Sequence, residues 1–173
     1  MTRAQLEHII RAAAGTANVR DIVVIGSQAI LGSFPDAPSE LTQSIEADVF
    51  PKDAPHRSIV IDGAIGELSL FHETFGYYAH GVDETTALLP DGWMQRLVKV
   101  ETAATFGAVG WCLDPHDLAV SKLVAGREKD LAFVASMLHA GLASAEVIRD
   151  RLAKVSLAPE RRSLASTWLD RHQ

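Results

Sequence analysis

Residues 21–25, "DIVVI", run without a spacer into Gly26-Ser27 and then into "QAILGS". This junction narrows the folds open to the chain more than any other feature. Four β-branched residues in a row form a buried strand, and the segment after Ser27 has the apolar spacing of a short helix. A strand that ends at a glycine and enters a helix directly leaves backbone N–H groups unpaired at the positive end of the helix dipole, an arrangement that favours phosphate. Gly26 lets the backbone approach a ligand closely. Ser27 has two possible tasks, donating its hydroxyl to that ligand or capping the helix.

The stretch "SIEADVFP" supplies a second strand at about 45–50. With a period of two, Ile45, Ala47 and Val49 share one face and Glu46 and Asp48 share the other. Two carboxylates held side by side repel each other unless water screens them or a cation neutralises them. Both arrangements fit the pattern: an edge strand whose acids face solvent, or a site for a hard divalent ion such as Mg²⁺, which takes carboxylate oxygens together with substrate phosphates.

The rest of the chain restricts the context. At 173 residues and 47% hydrophobic content it can bury a full core. No apolar run is long enough to span a membrane, and "MTRAQLEHIIRAAAG" reads as an amphipathic helix rather than a signal peptide, so a cytoplasmic protein without membrane partners is expected. Cys112 stands alone in "VGWCL", which suggests a buried thiol, and the seven histidines show no zinc-ligand spacing. Residues 1–113 hold seven Lys and Arg against fourteen Asp and Glu, whereas residues 114–173 hold nine against eight. The less acidic part could present Arg127, Lys129, Arg149, Arg151, Lys154, Arg161 and Arg162 to a polyanion or carry them on ordinary solvated helix faces. The net charge of −6 argues against general nucleic-acid binding.

The expected order of elements is a helix over 3–14, the strand over 21–25, the short helix after Ser27 and the strand at 45–50. A helix over 54–72 and short strands near 75–80, 94–101 and 107–113 follow. From Asp114 onward the pattern is helical, with Pro115 suited to a first turn and Gly126, Gly141 and Pro159 as punctuation. The fold class is therefore α/β (α+β), a mixed sheet flanked by helices. It divides into an α/β core over 1–113 and a helical C-terminal region over 114–173 that packs on the core and completes the site.

"IGSQAI", followed by a strand with two acids one residue apart, resembles the opening motif of the DNA polymerase beta superfamily of nucleotidyltransferases, Gly-Gly/Ser and then Asp-x-Asp. "LDPHDLAVSKLVAGREKDLAFV" is similar to a segment of the minimal, AbiEii-type nucleotidyltransferases, including the MenT toxins. There an Asp precedes a Lys on a helix and a Lys-Asp pair follows, here Asp117, Lys122, Lys129 and Asp130. The resemblance covers roughly residues 20–140. It implies a nucleotidyltransferase-like fold in which Gly26 and Ser27 hold a nucleoside triphosphate, Glu46 and Asp48 bind Mg²⁺, and Lys122 and Asp130 complete the catalytic site with Asp48. Glu46 stands where the motif has Asp, and Glu101 is a candidate third carboxylate.

The activity so implied is Mg²⁺-dependent transfer of a nucleoside monophosphate from an NTP to a tRNA 3′ end or a protein hydroxyl. The family context is a toxin-antitoxin or phage-defence system with a cognate antitoxin. Lysines would offset negative charge on the transferring phosphate, and Arg96, expected on the strand after "LPDGW", is a further candidate for phosphate contact. Asp130 could serve as a base or could pair with Lys122 or Arg127. Two rivals remain from the residues themselves: a non-catalytic nucleotide-binding or protein-interaction module, kept open by Glu46 in place of Asp, and a hydrolase using Asp48 with a histidine such as His116.

Overall fold

The computed structural model describes residues 1–172. The buried run after Arg20 forms β1 (Asp21–Val24), the central strand of a five-stranded mixed sheet. On one side β1 pairs antiparallel with β2 (Glu46–Pro51), which in turn pairs parallel with β3 (Tyr78–Gly81). On the other it pairs parallel with β5 (Val109–Cys112), which carries the antiparallel β4 (Val98–Val100). The order is β3-β2-β1-β5-β4.

Helix α1 (Arg3–Ala17) starts at a capping box between Thr2 and Gln5. Its buried Leu6, Ile9, Ile10, Ala13 and Ala17 repeat at helical spacing and close one face of the core. The Gly-Ser turn leads through one 3₁₀ turn, Ser27–Ala29, into the four-residue α2 (Ile30–Ser33). The helix that follows the turn is therefore much shorter than a dipole-based phosphate site needs. Gly26, not Ser27, holds the capping position.

The helix expected over 54–72 is two pieces, α3 (Ser58–Ile65) and α4 (Leu70–Phe75). Gly66 turns extended where a Cβ would lie 2.1 Å from the Asp62 carbonyl oxygen, and Leu68 takes a left-handed φ of 62°, so the helix cannot pass between them. With α4 running to Phe75 and Gly76 left-handed, the next strand is only Tyr78–Gly81. The strand expected over 94–101 shrinks to β4, because Trp93–Arg96 is a 3₁₀ turn.

After Asp114, α5 (Pro115–Ala125), α6 (Glu128–His139), α7 (Ala145–Leu152) and α8 (Pro159–Asp170) follow in succession. Asp114 caps α5 by accepting from the His116 N–H, with Pro115 in the first turn. A single apolar cluster extends from Leu6 through the sheet to Met137, Ile148 and Leu169. Cys112 is fully buried and burial pushes its thiol up to about 12, which leaves it inert as a nucleophile at neutral pH. No described helix is long and apolar enough to cross a membrane.

Candidate active site

The acids of β2 point as the alternation requires. Ala47 and Val49 are buried, while Glu46 and Asp48 stand half-buried on the opposite face; Ile45, just outside the strand, is 47% exposed. Parallel pairing sets Tyr78 opposite Glu46 and His80 opposite Asp48. The His80 Nδ1 lies 3.0 Å from Asp48 Oδ1 and 3.4 Å from Glu46 Oε1, and the Tyr78 hydroxyl donates to Glu46 Oε2 at 2.9 Å. One ligand atom from each of Glu46, Asp48 and His80 falls within a 4.8 Å circle.

The electrostatics of this corner are unbalanced. Burial first, and the neighbouring Glu46 second, raise the Asp48 carboxyl above its ordinary value in spite of the His80 contact. Burial alone would lower His80, but its bond to Asp48 and the charges of Asp48 and Glu46 raise it. Burial and the bond to Glu46 push the Tyr78 hydroxyl up to about 12, so it remains a donor. A divalent cation would neutralise this donor set. The two carboxylates suit a hard ion such as Mg²⁺, with Tyr78 and His80 fixing their orientation.

Gly26 abuts this corner. Its φ of 64° lies in the left-handed region, and a Cβ there would sit 2.0 Å from Asp48 Oδ2. Only glycine lets the end of β1 pass so near the carboxylate, and the Ile25 N–H anchors the same place by donating to the Asp48 carbonyl at 2.9 Å. Ser27 makes one long contact, to Gln28 Nε2 at 3.4 Å. Gln28 is buried, and its Oε1 has no hydrogen-bond partner among the described residues.

From the opposite side comes the corner between α5 and α6. Gly126, with φ of 68°, ends α5, and the turn brings Lys122 and Asp130 together at 2.9 Å, a pairing that eight residues of straight helix would prevent. Arg127 also donates to Asp130, whose carboxylate is fully buried. Burial would raise Asp130, but the hydrogen bonds from Arg127 and Lys122 hold it below the usual carboxylate range. Both of its oxygens face cations, an arrangement suited to positioning Lys122 and Arg127 and poorly suited to accepting a proton.

Two adjoining cavities, about 210 and 400 Å³, fill the space between these corners. Asp48, Lys122 and Arg127 line both; Gly26 lines the first, and Ser27, Glu46, His80 and Asp130 line the second. The structure thus brings Gly26, Ser27, Glu46, Asp48, Lys122 and Asp130 to one cleft. Arg96 and Glu101 lie elsewhere. The Arg96 guanidinium clasps the fully buried Asp117 through two bonds, of 2.8 and 3.1 Å, and Glu101 pairs with Arg20 and Lys99. His116 is also engaged, its Nδ1 on Asp114 and its Nε2 accepting from the Ser144 N–H, so it has no nitrogen left for a partnership with Asp48.

Most of the expected basic surface has internal partners. Arg151 pairs with Asp114 and Asp117, Arg149 with Asp170, and Arg161 and Arg162 donate to helix-end carbonyls. Lys129 is exposed and lines the larger cavity. Sequence reasoning missed Tyr78 and His80, although "YAH" carries the same two-residue alternation as "EAD". Nothing in the sequence pairs the two strands, because neither their parallel pairing nor its register is a local property.

No curated protein and no solved structure matches the chain significantly. A family model does match over residues 4–169, nearly the whole length. With the glycine turn, the paired acids and the lysine of α5 facing one cleft, the chain belongs to the family described as nucleotidyltransferase of unknown function (DUF6036).

Proposed function

We propose that this protein transfers a nucleoside monophosphate from an NTP to a hydroxyl of an acceptor, an RNA such as a tRNA 3′ end or a protein side chain, with Mg²⁺ held by Glu46 and Asp48. The observation that carries this reading is the cleft that Glu46 and Asp48 line together with Lys122 and Arg127, with Gly26 packed against Asp48. In the reaction the acceptor hydroxyl gives up its proton to solvent as its oxygen bonds to the α-phosphorus, the bridge to the β-phosphate breaks and pyrophosphate departs. Lys122 and Arg127 meet the phosphates and offset the charge that develops on them. Asp130 holds both cations in place, and Tyr78 and His80 hold Glu46 and Asp48. Gly26 lets the end of β1 lie against Asp48 at the cleft wall, and Ser27 offers the triphosphate a hydroxyl. When bound, the metal supplies charge neutralisation for the phosphates. Arg96, turned onto Asp117, supports the fold in this scheme and does not touch substrate.

The Asp117, Lys122, Lys129 and Asp130 segment supports the AbiEii-type branch, and a toxin role rests on that likeness alone. The test is incubation with each of the four α-³²P-labelled NTPs, with and without Mg²⁺, in the presence of total RNA or of cell protein. Label is expected in one acceptor pool, from one or two of the nucleotides, and none with Asp48→Asn. Label arriving from γ-³²P and not from α-³²P would overturn nucleotidyl transfer in favour of phosphoryl transfer.

A further inference from the structure

A groove of about 550 Å³ lies between α8 and the α5–α6 corner, outside the Asp48 cleft. Its floor is apolar, formed by Leu123, Val124 and Leu131 with Leu164, Ala165 and Trp168 of α8. Leu164 is 72% exposed, an unusual state for a leucine at the centre of an apolar stripe. Arg161, Leu164, Ala165 and Trp168 of α8 and Arg171 at its C-cap line the groove along one helical face, with Thr167 at the edge of that face, so the stripe begins and ends with an arginine. Ten residues of helix separate Arg161 from Arg171 by about 15 Å.

Among the described residues no carboxylate lines this groove, on a chain whose net charge is −6. Arg161 donates to the Val124 carbonyl at 2.8 Å and makes no ion pair among the described residues. Arg171 makes none there either, although acids are the commonest charged residues of the chain. A ligand complementary to the groove needs an apolar face about three turns of helix long and negative charge towards both ends. A fatty acid carries its charge at one end only, whereas an acidic amphipathic helix presents an apolar face of this length with carboxylates towards both ends.

We propose that this groove docks an amphipathic, acidic helical segment of a partner protein, with its leucine-type side chains on Leu131, Leu164 and Trp168 and its carboxylates on Arg161 and Arg171. Because Arg161, Val124 and Ala125 also line the smaller cavity beside Asp48, such a segment would lie against one wall of the catalytic cleft. The docking surface is independent of whether the cleft transfers nucleotides.

The probe is a fluorescein-labelled 16-residue helical peptide with leucines at i, i+3, i+4 and i+7 spacing and glutamates on the flanks, compared with its lysine-for-glutamate counterpart. Anisotropy titration should give binding of the glutamate peptide at about 100 μM or tighter, with the lysine peptide at least about tenfold weaker. Leu164→Asp and Arg171→Glu, both exposed changes, should each weaken the glutamate peptide by about tenfold while leaving the melting temperature in place. Equal affinity for the two peptides, indifference to both variants, or no binding at about 1 mM overturns the proposal. So does a dimer that Leu164→Asp dissociates, which would assign the groove to self-association, or dodecanoate binding lost in both variants without peptide binding, which would assign it to a small amphiphile.

Discussion

Two regions of this molecule bury carboxylates, and they treat them in opposite ways. In the helical half each buried acid faces two cations: Asp117 faces Arg96 and Arg151, and Asp130 faces Lys122 and Arg127. In the β2–β3 corner two acids share one histidine and a tyrosine hydroxyl, and Asp48 is driven above its ordinary pKa. Neutralised acids fasten elements together, whereas an acid pair short of positive charge has affinity left over for a cation. Under the proposed function the contrast separates residues that bind from residues that position, with Asp130 of the second kind although it lines the cleft.

The sharpest way to break the comparison is to remove an acid from each side. Asp48→Asn should lower nucleotidyl transfer by about 10³-fold or more while leaving the melting temperature unchanged or raised, since it relieves a repulsion. Transfer assays beside thermal melts check this, and full activity in the variant would remove Asp48 from the mechanism. Asp117→Asn should do the reverse. Removing the charge at this fully buried site leaves Arg96 without its ion pair, while Arg151 keeps Asp114, and costs about 3 kcal/mol of folding stability, read by urea denaturation, while the folded fraction should still bind Mg²⁺ like the wild type.

Lys122→Ala is expected between these extremes. It removes a phosphate partner and should reduce transfer about 10²-fold, with a smaller stability loss because Arg127 continues to hold Asp130. A variant whose loss of activity merely follows its loss of folded protein would make Lys122 a structural residue.

Acid titration sharpens the same contrast through its sign. Burial would raise Asp114, but the bonds from His116 and Arg151 hold it at about 2. A depressed carboxyl contributes stability that is present above its unfolded pKa and is lost as pH falls through the folded value, here between about pH 4 and 2, worth at most about 2 kcal/mol. Asp48 works the other way, because a raised carboxyl gains stability as pH falls through its folded value. Urea midpoints at pH 5 and pH 3 should therefore converge in Asp114→Asn and spread apart in Asp48→Asn, relative to wild type. The smallest effect belongs to Tyr78→Phe, which frees Glu46 from one bond and should weaken Mg²⁺ binding only a few-fold, by about 1 kcal/mol or less in calorimetry.

Local chemistry was legible throughout the chain. The β-branched run, the acid alternation, the Pro115 start and the Gly126 stop all stand where the sequence puts them, because each depends on residues a few positions apart. One error was local: the expected helix became two where Gly66 turns extended four residues after Asp62. The other fell where neighbours in space decide, since Arg96 left its expected strand for a 3₁₀ turn that delivers it to Asp117.

Two acids on one strand face, a glycine at the end of another strand and a lysine and an aspartate on either side of a helix break can all be read from the residues alone. Those are consequences of period and backbone freedom, which need no partner. That Gly26 must be glycine because Asp48 lies against it, that β3 registers Tyr78 and His80 onto the acid pair, and that Asp130 is occupied by two cations emerge from packing across the whole fold. Register, burial and charge balance are sums over residues far apart in the chain, and no short stretch of sequence contains them.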